Sequence, residues 1–149
     1  MTDIVSPTGR SVPVPEGVVR VGHLTGEAFV AEVRGHTLVT DQPVEAGGDD
    51  RGPTPVEVLV VSLAACVAHY AGRFLERHHL DREQLRVLAD FTMADDRPAR
   101  VACVHLRVVL PYELSRARLE GLRAVVEHCT VHNTLLRPPD IRLETGVPA

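Results

Sequence analysis

Gly47-Gly48-Asp49-Asp50-Arg51-Gly52-Pro53-Thr54-Pro55-Val56-Glu57-Val58-Leu59, followed shortly by Ser62-Leu63-Ala64-Ala65-Cys66, is the stretch that decides the fold. Its first part reads as an exposed, sharply turned loop, because glycine frees the backbone and the paired acids prefer water. Its second part is a strong helix start. Thr54 takes the N-cap, Pro55 takes the first helical position, and Glu57 falls three after the cap, within reach of the Thr54 N–H. Leu59, Ser62, Leu63, Cys66, Tyr70 and Arg73 then fall roughly on one face. The early turns are apolar on nearly all sides, which predicts a central, buried helix. Polarity returns at Arg73, Glu76, Arg77 and His78, so the helix is expected to end near His79.

Upstream, Phe29-Val30-Ala31-Glu32-Val33 and His36-Thr37-Leu38-Val39-Thr40 read as strands joined by a tight turn at Arg34-Gly35. Residues 1 to about 20 are rich in Pro, Gly and Val without a helical period, and read as an N-terminal arm, at most with a short strand. Downstream, Leu85 to Thr92 and Val101 to Leu110 predict two strands across a polar turn at Asp95-Asp96-Arg97-Pro98. In the second of them Ala102, Val104, Leu106 and Val108 share one face, and Cys103, His105 and Arg107 the other. A second helix opens near Ser115. Leu119, Leu122, Val126 and Cys129 recur at spacings of three and four, which puts Cys129 at the apolar edge of that helix's C-terminal end. Pro138-Pro139 stops the segment beyond that helix, and Ile141 to Glu144 reads as a last edge strand. The order β-β-α-β-β-α-β predicts one α+β domain over residues 1–149, an antiparallel sheet packed on a central buried helix.

A chain of 149 residues with 44% hydrophobic and 24% charged residues can build a substantial core. Aromatics are scarce at 3%, Trp is absent and the net charge is −4, so neither base-stacking platforms nor a field for phosphates is in place; no nucleic-acid partner is expected. All 16 basic residues are arginine, which excludes Schiff-base and phosphate-loop lysines and leaves arginine as the only permanent cation a site can use. The N-terminus, Met1-Thr2-Asp3-Ile4, lacks a secretory pattern. The apolar stretch Val56 to Ala68, interrupted by Glu57 and Ser62, is too short to span a membrane. The expected location is the cytoplasm, where paired cysteines point to catalysis or metal binding more than to structural staples.

Two cysteines stand in matching company, Cys66-Val67-Ala68-His69 and Cys129-Thr130-Val131-His132. Three readings compete. As a redox pair, Cys66 attacks a peroxide as thiolate and Cys129 condenses with the resulting sulfenic acid. Cys66 sits mid-helix, beyond the reach of the helix dipole, so a cation must come from elsewhere; Arg34, Arg51, Arg20 and His69 are candidates. As core residues, both thiols are inert small hydrophobes, the better reading for any single buried cysteine. As ligands, Cys66, His69, Cys129 and His132 make a Cys₂His₂ set that zinc accepts, although a chain this long has no need of a metal to hold its core. Glu57 is equally a capping carboxylate or the group that orients an arginine beside the thiolate. Cys103 reads as a bystander on its strand, and Arg51 belongs to a solvated loop next to the Cys66 helix.

The run Gly47 to Leu59 with Ser62 to Cys66 resembles the OsmC/Ohr family of osmotically induced and organic-hydroperoxide-resistance proteins. Glu127-His128-Cys129-Thr130-Val131-His132-Asn133-Thr134-Leu135 is similar to that family's second cysteine motif, and Gly35-His36-Thr37-Leu38-Val39-Thr40-Asp41 to the strand before the loop in an OsmC-like branch. The resemblance runs from about residue 28 to 145 and implies an intertwined homodimer with thiol peroxidase activity toward organic hydroperoxides. It implies Cys66 as the peroxidatic thiol, Cys129 as the resolving thiol, and Glu57 as the carboxylate holding a thiolate-binding arginine. Arg34 is the first choice for that arginine and Arg51 the second. The implied reductant is a dithiol, lipoyl-type in the best-known branch, and no cofactor or metal is implied. Val67 stands where peroxidase branches carry an aromatic, and Thr130 where proline is usual. The alternatives are a non-catalytic OsmC-like protein that binds a small apolar or thiol ligand, and a zinc-binding domain.

Overall fold

The computed structural model describes residues 15–146, so most of the expected N-terminal arm lies outside the described residues. The chain divides into two compact units, one up to Val58 and one from Leu59 onward.

The first unit is built on three antiparallel strands in the order β1 (Arg20–Thr25), β2 (Ala28–Val33) and β3 (His36–Thr40). Both expected strands are present. β1, which follows the expected arm, was not foreseen; its side chains are mostly exposed, so no buried face betrays it in the sequence. The β2–β3 turn places Arg34 at φ 48° and Gly35 at φ 78°, the doubly left-handed geometry of a two-residue hairpin.

After β3 the chain enters the glycine-rich loop, which is organised from within. Asp41 is 2% exposed, and its carboxylate accepts the backbone N–H groups of Gln42 at 2.8 Å, Asp49 at 3.2 Å and Arg51 at 3.1 Å. The loop closes so tightly that a Cβ on Gly48 would lie 2.0 Å from the Gln42 carbonyl oxygen. A Cβ on Gly52 would lie 2.3 Å from that of Val39. Side chains cannot occupy either position without moving backbone.

Helix α1 (Pro55–Arg77) opens with the expected capping box. Glu57 Oε2 accepts the Thr54 N–H at 2.7 Å and its hydroxyl at 2.9 Å, while Thr54 Oγ1 accepts the Glu57 N–H at 3.2 Å. The helix ends at Arg77, close to the expected His79. Its buried stripe is Val60, Leu63, Val67, Ala71, Gly72, Phe74 and Leu75; of the expected face Leu63 is buried, Cys66 and Tyr70 pack at the edge of the core, and Leu59, Ser62 and Arg73 are exposed. Early turns that are apolar all round define no unique face, and packing chose one a step over. Leu59 and Val61 are left 42% and 59% exposed, so the N-terminal turns are not buried on every side. By length and composition α1 is also apolar enough to cross a membrane, contrary to the reading of Val56 to Ala68 alone, because the helix continues past Ala68 to Arg77. In the fold it is the central core helix.

In the second unit a hairpin of β4 (Arg86–Met93) and β5 (Val101–Val109), with Val87 opposite Val108 and Phe91 opposite Val104, packs with α1, α2 (Arg116–Val126) and α3 (Thr130–Leu136). One core cluster is Ala71, Phe74, Leu75 and Leu122, joined by Leu85, Val108 and Val125. A second is Leu63, Val67 and Cys129, joined by Cys66, Tyr70, Val104, Leu106 and Val126. The expected second helix is in fact two. α2 stops at Val126, and Cys129 caps a separate α3 rather than sitting on the end of α2. The expected strand at Ile141–Glu144 is irregular chain, with Ile141 84% exposed and no strand partner among the described residues. The architecture is thus α+β, antiparallel sheets with a central helix.

A buried thiol pair as the candidate functional site

Local chemistry positions each thiol. Cys66 is carried by the fourth turn of α1 and is half-buried. Cys129 comes after the short break beyond α2 and takes the N-cap of α3, its Sγ accepting the His132 N–H at 3.3 Å. Cys129 is fully buried, at 0% exposure, in the cluster with Leu63 and Val67 against which Cys66 and Tyr70 pack. The two side chains lie beside each other in this cluster, and no bond joins the two sulfurs.

The surroundings make the two sulfurs unequal. Burial pushes the Cys129 thiol above its ordinary range; the His132 N–H works the other way, and the Cys66 sulfur beside it pushes it up again. Negative charge on Cys66 would hold the Cys129 proton still more firmly. The arrangement therefore favours Cys129 as the S–H partner of a more accessible Cys66. Tyr70, one turn beyond Cys66, bonds through its hydroxyl to Thr130 Oγ1 at 3.3 Å and so links α1 to the start of α3.

The other expected site residues lie in the first unit. Glu57 is occupied by its cap, and the Thr54 N–H and hydroxyl hold its carboxyl below the usual range against a smaller opposing effect of burial. Arg34 sits exposed at the β2–β3 turn. Arg51 lays its guanidinium on Asp49, Nε at 3.2 Å and Nη2 at 3.0 Å, while its own N–H is held by Asp41. Arg20 pairs with Glu32 at 3.4 Å. Asp41 escaped the sequence reading. Its signal was an acid at the end of a strand before a loop whose glycines turn several N–H groups inward.

Among the described residues no group of three or more His, Cys, Asp or Glu side chains is arranged to hold a metal ion. His132 Nδ1 instead bonds the Glu127 carbonyl at 3.0 Å, and the His69 ring meets Tyr70 edge-on. A cavity of about 400 Å³ lies between β5 and α2, and its lining includes Leu106, Val108 and Val126, the same side chains that pack against the Cys129 cluster. Arg116, Glu120, Arg123 and Glu127 line the same space, so its wall is mixed.

A family model described as OsmC-like protein matches residues 47–144, most of the chain and both cysteines. The chain belongs to this family. Solved structures agree at the level of fold. A Psychrobacter arcticus 273-4 protein linked to osmotic stress and detoxification is 22% identical, with a TM-score of 0.74 over 81% of this chain and 89% of that one. A hypothetical protein from Aquifex aeolicus VF5 is 14% identical, with a TM-score of 0.68 over 85% and 90% of the two chains. An organic hydroperoxide resistance protein OsmC from Legionella pneumophila is 18% identical, with a TM-score of 0.56 over 79% and 87%. No curated protein matches the chain.

Proposed function

We propose that this protein is a thiol-dependent peroxidase for organic hydroperoxides, working as a homodimer of single-domain chains in the cytoplasm. The observation that carries the reading is the contact between the Cys66 and Cys129 thiols inside an apolar cluster of an OsmC-family fold. Cys66, as thiolate, attacks the terminal peroxide oxygen; the O–O bond breaks, the alkoxide leaves and takes a proton as the alcohol, and Cys66 becomes a sulfenic acid. Cys129 then attacks that sulfur, giving up its proton. Water departs and the Cys66–Cys129 disulfide forms. A small or lipoyl-type dithiol reduces the disulfide and is itself oxidised to a disulfide.

An arginine completes the site by stabilising the Cys66 thiolate, with Glu57 orienting it. Arg34 and Arg51 are the two candidates. The Arg51–Asp49 pair is solvent-exposed and therefore weak, which leaves that guanidinium available for redirection. Replacement of the correct arginine by Gln slows both alkylation of Cys66 and peroxide reduction, whereas replacement of the other changes neither. Assembly is supported by the apolar side chains exposed on α1, Leu59 and Val61.

One observation favours a second reading. The cavity between β5 and α2, walled in part by Leu106, Val108 and Val126, suits a non-catalytic protein that binds a small apolar ligand. Consumption of cumene hydroperoxide in the presence of dithiol decides between them. Turnover by the wild type that disappears in Cys66→Ser supports the peroxidase; no turnover above that variant supports the binding protein.

A further inference from the structure

Thr130 sits directly after Cys129, and Tyr70 lies one helical turn beyond Cys66. The Tyr70 ring packs on the Leu63, Val67 and Cys129 cluster. Its hydroxyl meets Thr130 Oγ1 at 3.3 Å, a side-chain hydrogen bond between the helix that carries one thiol and the helix whose cap is the other. Thr130 is tied within α3 as well, since its carbonyl accepts the Thr134 hydroxyl at 2.8 Å. A bond to Thr130 therefore acts on the start of α3 as a whole. Disulfide formation is demanding in geometry, with Cβ atoms about 3.5–4.5 Å apart and a narrow torsional range, so a small drift of α3 from α1 takes Cys129 out of reach.

We propose that Tyr70 and Thr130 form a positioning clasp for the resolving step, holding Cys129 within bonding reach of oxidised Cys66. The inference rests on the peroxidase reading of Cys66. Once Cys66 is a sulfenic acid, two reactions compete. Cys129 displaces water and closes the disulfide, or a second hydroperoxide gives up one oxygen, oxidising Cys66 to the sulfinic acid and leaving as the alcohol. The clasp favours the first by keeping the attacking sulfur in place. Both residues act through Cys129, so they are positioning and not catalytic residues.

The test compares wild type, Tyr70→Phe, Thr130→Val and Thr130→Ser. Each reduced protein is exposed to graded cumene hydroperoxide without reductant, and intact and peptide masses give the ratio of Cys66–Cys129 disulfide to Cys66 sulfinic acid. Tyr70→Phe keeps the ring and its packing but removes the hydroxyl; Thr130→Ser keeps the bonding oxygen. Disulfide-to-sulfinate ratios that fall about two- to tenfold in Tyr70→Phe and Thr130→Val, the range expected from the net worth of one hydrogen bond, and return in Thr130→Ser support the clasp. Unchanged ratios overturn it, even where the variants melt at lower temperature, since that outcome is a purely structural role. A second arm uses diamide, which takes two electrons from the dithiol and leaves as the hydrazine. Wild-type disulfide formation with diamide but no Cys66 oxidation by hydroperoxide defeats the peroxidase reading itself, and is thereby distinguished from failure of the clasp.

Discussion

At the scale of single residues the three cysteines are set apart by environment alone. Cys103 is exposed on β5, Cys66 half-buried and Cys129 fully buried with its proton held by burial. Alkylation of the native reduced protein by iodoacetamide is expected to label Cys66 well before Cys129, as read by peptide mapping over time. Labelling of Cys129 ahead of Cys66 would reverse the roles given to them. Asp41 makes a second prediction. Burial raises its pKa, but the N–H groups of Arg51, Gln42 and Asp49 outweigh that and hold the carboxyl below its ordinary value of 3.8. A carboxyl lowered on folding stabilises the folded chain above its unfolded pKa and loses that contribution as pH falls through the folded one. Asp41→Asn should therefore lower the melting temperature at neutral pH, and the gap from wild type should shrink as pH drops below 3.8. Sequence exposed Cys66 and Cys129, because each had a motif around it. It hid Asp41, because a buried acid is recognised by the N–H groups that fold around it, and these come from positions up to ten residues away.

Among the elements, α1 was the most legible, since Thr54, Pro55 and Glu57 form a start signal that works through local hydrogen bonds. Thr54→Ala should cost about 1 kcal/mol of stability in chemical denaturation. The loop before it is less forgiving. Gly48→Ala drives a methyl into the Gln42 carbonyl and should cost about 1–3 kcal/mol or prevent folding, whereas Gly26→Ala meets no atoms within 4 Å and strains only its left-handed turn. The break between α2 and α3 was illegible for a physical reason. Leu119, Leu122, Val126 and Cys129 keep helical spacing straight through it, and no Gly or Pro marks residues 127–129. Only the capping role of the Cys129 sulfur reveals the new start. Serine caps well, so Cys129→Ser should keep the fold while stranding Cys66 at the sulfenic stage and exposing it to over-oxidation.

For the whole molecule, the α+β class came from periodicity, whereas assembly did not, because an exposed apolar side chain looks the same in sequence as a buried one. Leu59 and Val61 are the clearest cases. If this face of α1 meets a second copy, Val61→Asp should shift the protein toward monomer in size-exclusion chromatography with light scattering, and make its melting temperature less dependent on concentration. The same elution mass for both proteins would remove that surface from the interface. The redox reading spans the whole molecule too, since it needs a helix from the middle of the chain and a cap from its final third to meet. The measurement that tests it most directly is cumene hydroperoxide consumption with a lipoyl-type dithiol by wild type and Cys66→Ser at equal concentration. Catalytic consumption by wild type alone, with the dithiol oxidised one-for-one with peroxide, is the predicted result. Equal, uncatalysed consumption in both samples would contradict the account.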